Sequence, residues 1–301
     1  MKIRNWRVRM NPVGLRACLI RVQSFNFVIQ KLGQGNVAVK NQKLLTCAAI
    51  GMILLGNGIS HPILTRHDKA DSLYIRLGNE FKDVVVDLRV PTPRFPNGRS
   101  GNGVGVMISS RWVLTAAHVA SGLRPQRLPT PSVTINGINI QVEKVLLHPR
   151  WREEGPADIG LIKLKESVRS SRWAKPYEGN DEIGKDIKIV GWGDFGTGLT
   201  GPTTMDQRLR GATNRVDDVT EDNLIFDFDS PESNDATELE GVSGPGDSGG
   251  PALAEIKGEL FVLGVSVAQD GHGRGRGRYG ATEYYTKVSN YAKWIKEAMK
   301  D

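Results

Sequence analysis

The sequence predicts an all-β fold, a barrel or sandwich of short strands closed off by one C-terminal helix. Three observations carry this expectation. From about Ser60 onward, short runs rich in Val, Ile, Leu and Tyr alternate with Gly, Pro and Asn turns: VVVDLRV (84–90), GVGVMIS (103–109), VTINGINIQV (133–142), IKIVGWG (187–193), LIFDFD (224–229), ELFVLGVSV (259–267) and YYTKV (284–288). Many short strands separated by turn residues are the pattern of a barrel or a sandwich. Within 133–142, the apolar Val133, Ile135, Ile138 and Ile140 flank Asn136-Gly137, a strong short-range hairpin signal. Only NYAKWIKEAM has helical periodicity, with Tyr291, Trp294, Ile295, Ala298 and Met299 on one face, so it is expected to dock on the body as a terminal helix.

Ahead of the strands lies a segment of different composition. The chain has 301 residues, 39% hydrophobic and 24% charged, the make-up of a globular protein with one large domain or two small ones. Its net charge is +7, yet residues 1–59 hold nine Lys and Arg and no acid, leaving 31 basic against 33 acidic side chains in the rest. The excess positive charge therefore belongs to the leader, and a nucleic-acid partner is not expected. Leu44 to Gly56, LLTCAAIGMILLG, is an apolar run of 13 residues behind Lys40 and Lys43 and ahead of the small residues of GNGIS. That is the anatomy of a signal peptide, with cleavage after Gly58 or Ser60. A membrane-spanning helix needs about 20 apolar residues, so no stable anchor is expected. The basic stretch before it is long for a signal peptide, which suggests an extended leader or a start further in, at Val37 or Val39. Cys47 lies at the front of the run, where a lipoprotein cleavage site would not be. Cys18 and Cys47, the two cysteines, both fall in the leader, so the exported chain is expected to lack disulfides and to depend on its core.

Three segments carry chemistry: WVLTAAHV (112–119), ADIGLIKL (157–164) and GPGDSGGPAL (244–253). A serine hydroxyl is a poor nucleophile at neutral pH. It needs a base within hydrogen-bond reach and a third group that holds the base in the right tautomer. His118, Asp158 and Ser248 supply those three chemical types. Each has a plainer reading alone: a histidine after an apolar strand is usually packed or on the surface, and an aspartate can be a cap. His61, His67, His148 and His272 have no comparable context and are read as structural. No spaced Cys/His ligand set and no phosphate-binding loop is present in the sequence, so no cofactor is expected.

Together the segments resemble the three signatures of the trypsin-like serine peptidases, in that family's order His, Asp, Ser, and suggest a bacterial-type exported member. HPRW (148–151), VGWG (190–193), GVSV (264–267) and YYTKV (284–288) add to the resemblance, which runs from about residue 70 to the end. It implies two packed six-stranded antiparallel β-barrels, the first at about 70–175 and the second at about 176–288, with the helix at 289–300. The leader occupies 1–60 and the peptidase domain 61–301. The active site would be the cleft between the barrels. Ser248 would attack the scissile carbonyl and His118 take its proton, with Asp158 orienting the imidazole. The N–H groups of Gly246 and Ser248 would form the oxyanion hole. The resemblance implies a monomeric, cofactor-free serine endopeptidase acting on proteins or peptides, secreted or periplasmic.

Two rival readings are weaker. Gly246 to Gly250 also fits the G-x-S-x-G turn of α/β-hydrolases, but there the order is Ser, acid, His, and only His272 follows Ser248. An inactive homologue serving as a binding module would normally have lost a triad residue, and none is lost.

The sequence also departs from the family pattern. Val119 stands where many members have a disulfide cysteine. The Ile-Val-Gly-Gly activation site is missing, and ADSLYIRLG (70–78) occupies its region. Asp247 then needs either a cation from elsewhere or an amino terminus made by processing near Ile63, because an unpaired buried carboxylate is costly. Val242 takes the floor of the primary pocket, where trypsin has an aspartate. Ser243 lies beside it, and Ser266, Val267 and Ala268 match the strand that pairs with substrate. Glu283 takes a wall position where glycine is usual, so it could receive a basic substrate side chain, unless it turns outward or closes the pocket. The acidic stretch at 217–239 and the basic run His272, Arg274, Arg276 and Arg278 are read as solvated loops. The basic run lies between the substrate strand and the pocket wall, where it could touch acidic substrate residues.

Overall fold

The computed structural model describes residues 63–300 except 89, 93–94, 101–102, 125, 153–154, 171 and 205. The apolar run at 44–56, both cysteines and the expected cleavage positions lie outside the described residues.

The strand-forming residues of the first half close into a six-stranded antiparallel barrel: Val85–Asp87, Val104–Ser109, Trp112–Thr115, Gly160–Leu164, Ile138–Leu147 and Ser132–Ile135, in that order around the ring. Closure hides every strand edge. It also gives the β-branched and aliphatic side chains an interior, and Val85, Val106, Leu114, Val133, Leu161 and Ile162 are buried there. The hairpin expected at Asn136-Gly137 forms, with φ of 47° and 78° at the two turn residues and Ile135 paired with Ile138. Ile138, at the tip, is exposed, whereas Ile140 returns to the core.

The second half is a curved sheet of eight strands. Arg210–Arg215, Asp186–Gly191, Pro251–Ile256, Glu259–Asp270, Thr282–Lys287, Asn223–Asp227 and Asp218–Val219 follow one another, and Lys175–Pro176 pairs with Glu259–Asp270. Beside it, Leu64–Thr65 is inserted between Phe195–Thr197 and Gly241–Val242. Ile63, Leu64, Ile187, Phe226, Val242 and Tyr285 share one apolar cluster. The molecule is thus all-β, with a closed six-strand barrel, a half-barrel sheet and a short C-terminal helix.

The terminal segment begins as a 3-10 turn, Val288–Tyr291, and continues as the helix Ala292–Ala298. The apolar face read from its periodicity is the face that packs, with Tyr291 and Ile295 buried and Trp294, Ala298 and Met299 against the core. His148 holds it in place, its ring meeting Tyr291 and Trp294 edge-on at centroid distances of 5.0 Å. Two further helices occur where periodicity gave no signal: Asp71–Asn79 and the single turn Ala117–Gly122. No helix of the described residues is long and apolar enough to cross a membrane.

Candidate active site

His118 is the second residue of the turn Ala117–Gly122, which begins where strand Trp112–Thr115 leaves the barrel. Asp158 sits just before the neighbouring strand, Gly160–Leu164. Its carboxylate holds the histidine twice: Oδ1 accepts the backbone N–H of His118 at 2.9 Å, and Oδ2 lies 2.6 Å from Nδ1. A carboxylate only accepts, so Nδ1 carries the proton and Nε2 is left as the acceptor. Ala157, the buried residue before Asp158, has φ of 63°, a left-handed conformation that costs a non-glycine residue about 1 kcal/mol. That strain turns the chain so that Asp158 faces His118. From the second half, Thr286 Oγ1 donates to the Asp158 carbonyl at 3.0 Å.

Ser248 is carried to the same place by its neighbours' backbone. Its carbonyl accepts the N–H of Val104 in the barrel at 2.8 Å, while Gly249 N–H donates to Ser266 O at 2.8 Å and Ser266 N–H to Gly250 O at 2.9 Å. Gly249 has φ of 79°, and a Cβ on it would lie 2.1 Å from Thr115 Oγ1 and 3.0 Å from Ala116 N. Only glycine permits that approach, which brings the serine segment against the residues just before His118. Gly246, on the other side of Asp247, has φ of 107°.

Asp247 points inward and is 1% exposed. Its Oδ1 accepts Gly193 N–H at 3.0 Å and its Oδ2 accepts Gly244 N–H at 3.1 Å. Backbone donors thus meet part of the need for which the sequence suggested a cation.

Beside Ser248 lies a cavity of about 160 Å³, lined by Ser243, Gly244, Pro245, Ser266, Val267, Ala268, Gln269 and Arg276 as well as Ser248 itself. This is below the roughly 300–1,000 Å³ of pockets for drug-sized ligands and fits one side chain. The pairing of Glu259–Asp270 with Thr282–Lys287 slips between Ser266 and Ala268, a bulge that re-aims the cavity wall. Ser243, Ser266, Val267 and Ala268 are therefore brought together with Ser248. Val242 is not in the lining: it pairs with Leu64 in the core. Glu283 stands behind the cavity and is fully buried. Ser243 Oγ lies 2.8 Å from its Oε2, and Gln269 Nε2 donates to its Oε1 at 2.6 Å. Burial, with Asp247 adding to it, pushes the Glu283 carboxyl up to about 8. Gln269 and Arg276 were not assigned to the pocket from sequence. For Gln269 the available signal was its place directly after Ala268 on the substrate strand. Among the described residues, no group of three or more His, Cys, Asp or Glu side chains could hold a metal ion.

The trypsin family model matches residues 96–295, a span that includes five of the six barrel strands, the eight-stranded sheet and all three of these segments. The chain belongs to the trypsin family. It is 30% identical over 244 residues to the complement C1s subcomponent of Sus scrofa, covering 68% of this chain and 33% of that protein. It is 29% identical over 218 residues to serine protease SP24D of Anopheles gambiae, covering 65% of this chain and 71% of that one. This trypsin-family chain thus spans about a third of the length of complement C1s. Among solved structures it is similar to mouse neuropsin, a serine protease expressed in the limbic system, with a TM-score of 0.51 and 22% identity over 72% of this chain and 95% of that one. These relatives are animal proteins and lend no support to a bacterial-type origin.

Proposed function

We infer that this trypsin-family chain is an exported serine endopeptidase acting through His118, Asp158 and Ser248. The observation that carries this reading is the double clasp of His118 by Asp158, next to the docked Ser248 segment. With its Nδ1 proton held by Asp158, His118 Nε2 takes the proton of Ser248 as Oγ bonds to the scissile carbonyl carbon. The resulting oxyanion is received by the N–H groups of Gly246 and Ser248, a donor pair of which each member typically contributes about 3 kcal/mol to the transition state. His118 returns its proton to the leaving amine as the C–N bond breaks. Water then attacks the acyl-enzyme by the same route, releasing the acid and restoring Ser248.

The leader supports export, since a basic flank, a short apolar run and small residues are what a signal peptidase reads. The seating of Leu64–Thr65 between two strands supports a mature chain that starts shortly before it. One experiment tests both parts. Full-length chain is expressed in a secreting host, the medium is treated with a fluorophosphonate, and the product is mapped by mass spectrometry. The expected result is an adduct on Ser248, absent in His118→Ala, and an amino-terminal peptide beginning between Ile59 and Ile63. An unlabelled Ser248 sinks the triad reading, and recovery of only the full-length chain inside the cells sinks export.

A further inference from the structure

The cavity beside Ser248 has a buried acid, Glu283, behind its wall and an exposed base, Arg276, in its lining, and the two differ in what they can offer a substrate. Both oxygens of Glu283 are already engaged, by Ser243 and by Gln269. A substrate cation would have to displace one of these partners and ionise an acid that burial keeps neutral at pH 7. Ser243 Oγ donates to Oε2 and Gln269 Nε2 donates to Oε1. Ser243 Oγ also lies 3.1 Å from Ser266 Oγ. Glu283 is thus occupied by Ser243 and Gln269, and recognition of a substrate side chain is left to the other groups that line the cavity.

Arg276 lines the same cavity and is exposed. The loop that carries it is held rather than free. Gly277 N–H donates to Gln269 Oε1 at 2.7 Å, and Gln269 Nε2 also donates to Ser243 O at 2.9 Å. Gly277 is buried with φ of 66°, so tightly packed that a Cβ would fall 1.7 Å from Leu64 Cδ1. One glutamine side chain therefore joins the buried acid, the cavity wall and the arginine loop.

We propose that this chain cleaves after acidic residues, the carboxylate of the substrate side chain before the scissile bond entering the cavity to pair with Arg276. The guanidinium offers two parallel N–H groups to a carboxylate, a stronger and more directional contact than a point charge gives. This specificity rests on the protease reading above and adds the substrate class to it.

The test is kcat/KM for protein purified from the medium of cells expressing the full chain. The peptides are identical except for Glu, Asp, Arg, Lys, Phe or Ala before the cleaved bond. Glu or Asp is expected to exceed Arg, Lys and Phe by at least about tenfold. In Arg276→Ala that preference, taken relative to the Ala peptide, collapses mainly through KM. Arg276→Lys recovers part of it, and Arg274→Ala, on the same loop but outside the cavity lining, retains it. A basic or aromatic preference in the wild type, or an acidic preference that survives in Arg276→Ala, overturns the proposal. If Ser248 takes the fluorophosphonate and peptides are cut with another ranking, only this proposal falls. If nothing is labelled and nothing is cut, the protease reading falls and takes this one with it.

Discussion

Glu283 holds a carboxyl away from water, with Ser243 and Gln269 engaging both of its oxygens. Its folded-state value, about 8, stands above the ordinary 4.5, because burial disfavours the charged form. The stability this group contributes is complete below pH 4.5 and is lost as pH rises toward 8, since the unfolded chain ionises first. Glu240, also buried and pushed up to about 7, titrates in an overlapping window, so a substitution is needed to isolate Glu283. Between pH 5 and pH 8 the melting temperature of wild type is expected to fall by about 5 °C more than that of Glu283→Gln, which cannot ionise. Parallel curves for the two proteins would show that the carboxyl is not held neutral. At this scale the sequence pointed to His118, Asp158 and Ser248 as the proposed triad because each lies in a short contiguous motif, and the structure pairs the first two. The sequence did not reveal the state of Glu283, which is set by Ser243 and Gln269, 40 and 14 positions away in the chain.

Among the elements, the helix Asp71–Asn79 shows why some structure stayed hidden in the sequence. Nine residues with only Tyr74, Leu77 and Gly78 buried leave too short an apolar stripe to register as a period. What holds the helix is tertiary. Arg210 is buried and donates to Asp71 at 2.6 and 2.9 Å and to Asp206 at 2.8 and 2.7 Å. Its guanidinium also stacks over Phe195 at 4.3 Å, and Gly78 rests directly on the Arg210 backbone. Arg210→Ala removes the cation between two carboxylates that are still about a quarter exposed, and is expected to cost about 3 kcal/mol, the low end for breaking a buried pair. Urea unfolding measures this, and a loss under about 1 kcal/mol would mean the network is replaceable by water. The strands and the C-terminal helix, in contrast, were legible because each buries a regular face, as Tyr291 and Ile295 do.

Across the whole molecule, the barrel provides the His118–Asp158 pair, the half-barrel sheet provides the serine segment, and contacts such as Val104 N–H to Ser248 O and Thr286 Oγ1 to Asp158 O join the two. The proposed reacting groups are set on a scaffold whose hydrogen bonds among the described residues do not involve the Ser248 side chain. Removing that hydroxyl should therefore stop chemistry without unfolding the protein. Hydrolysis of casein by purified wild type and Ser248→Ala, paired with their far-UV circular dichroism and melting temperatures, measures this most directly. The expected result is a loss of at least about 10⁴-fold in rate with matching spectra and melting temperatures within about 2 °C. An alanine variant that cleaves casein at the wild-type rate would contradict the assignment of Ser248 as the nucleophile.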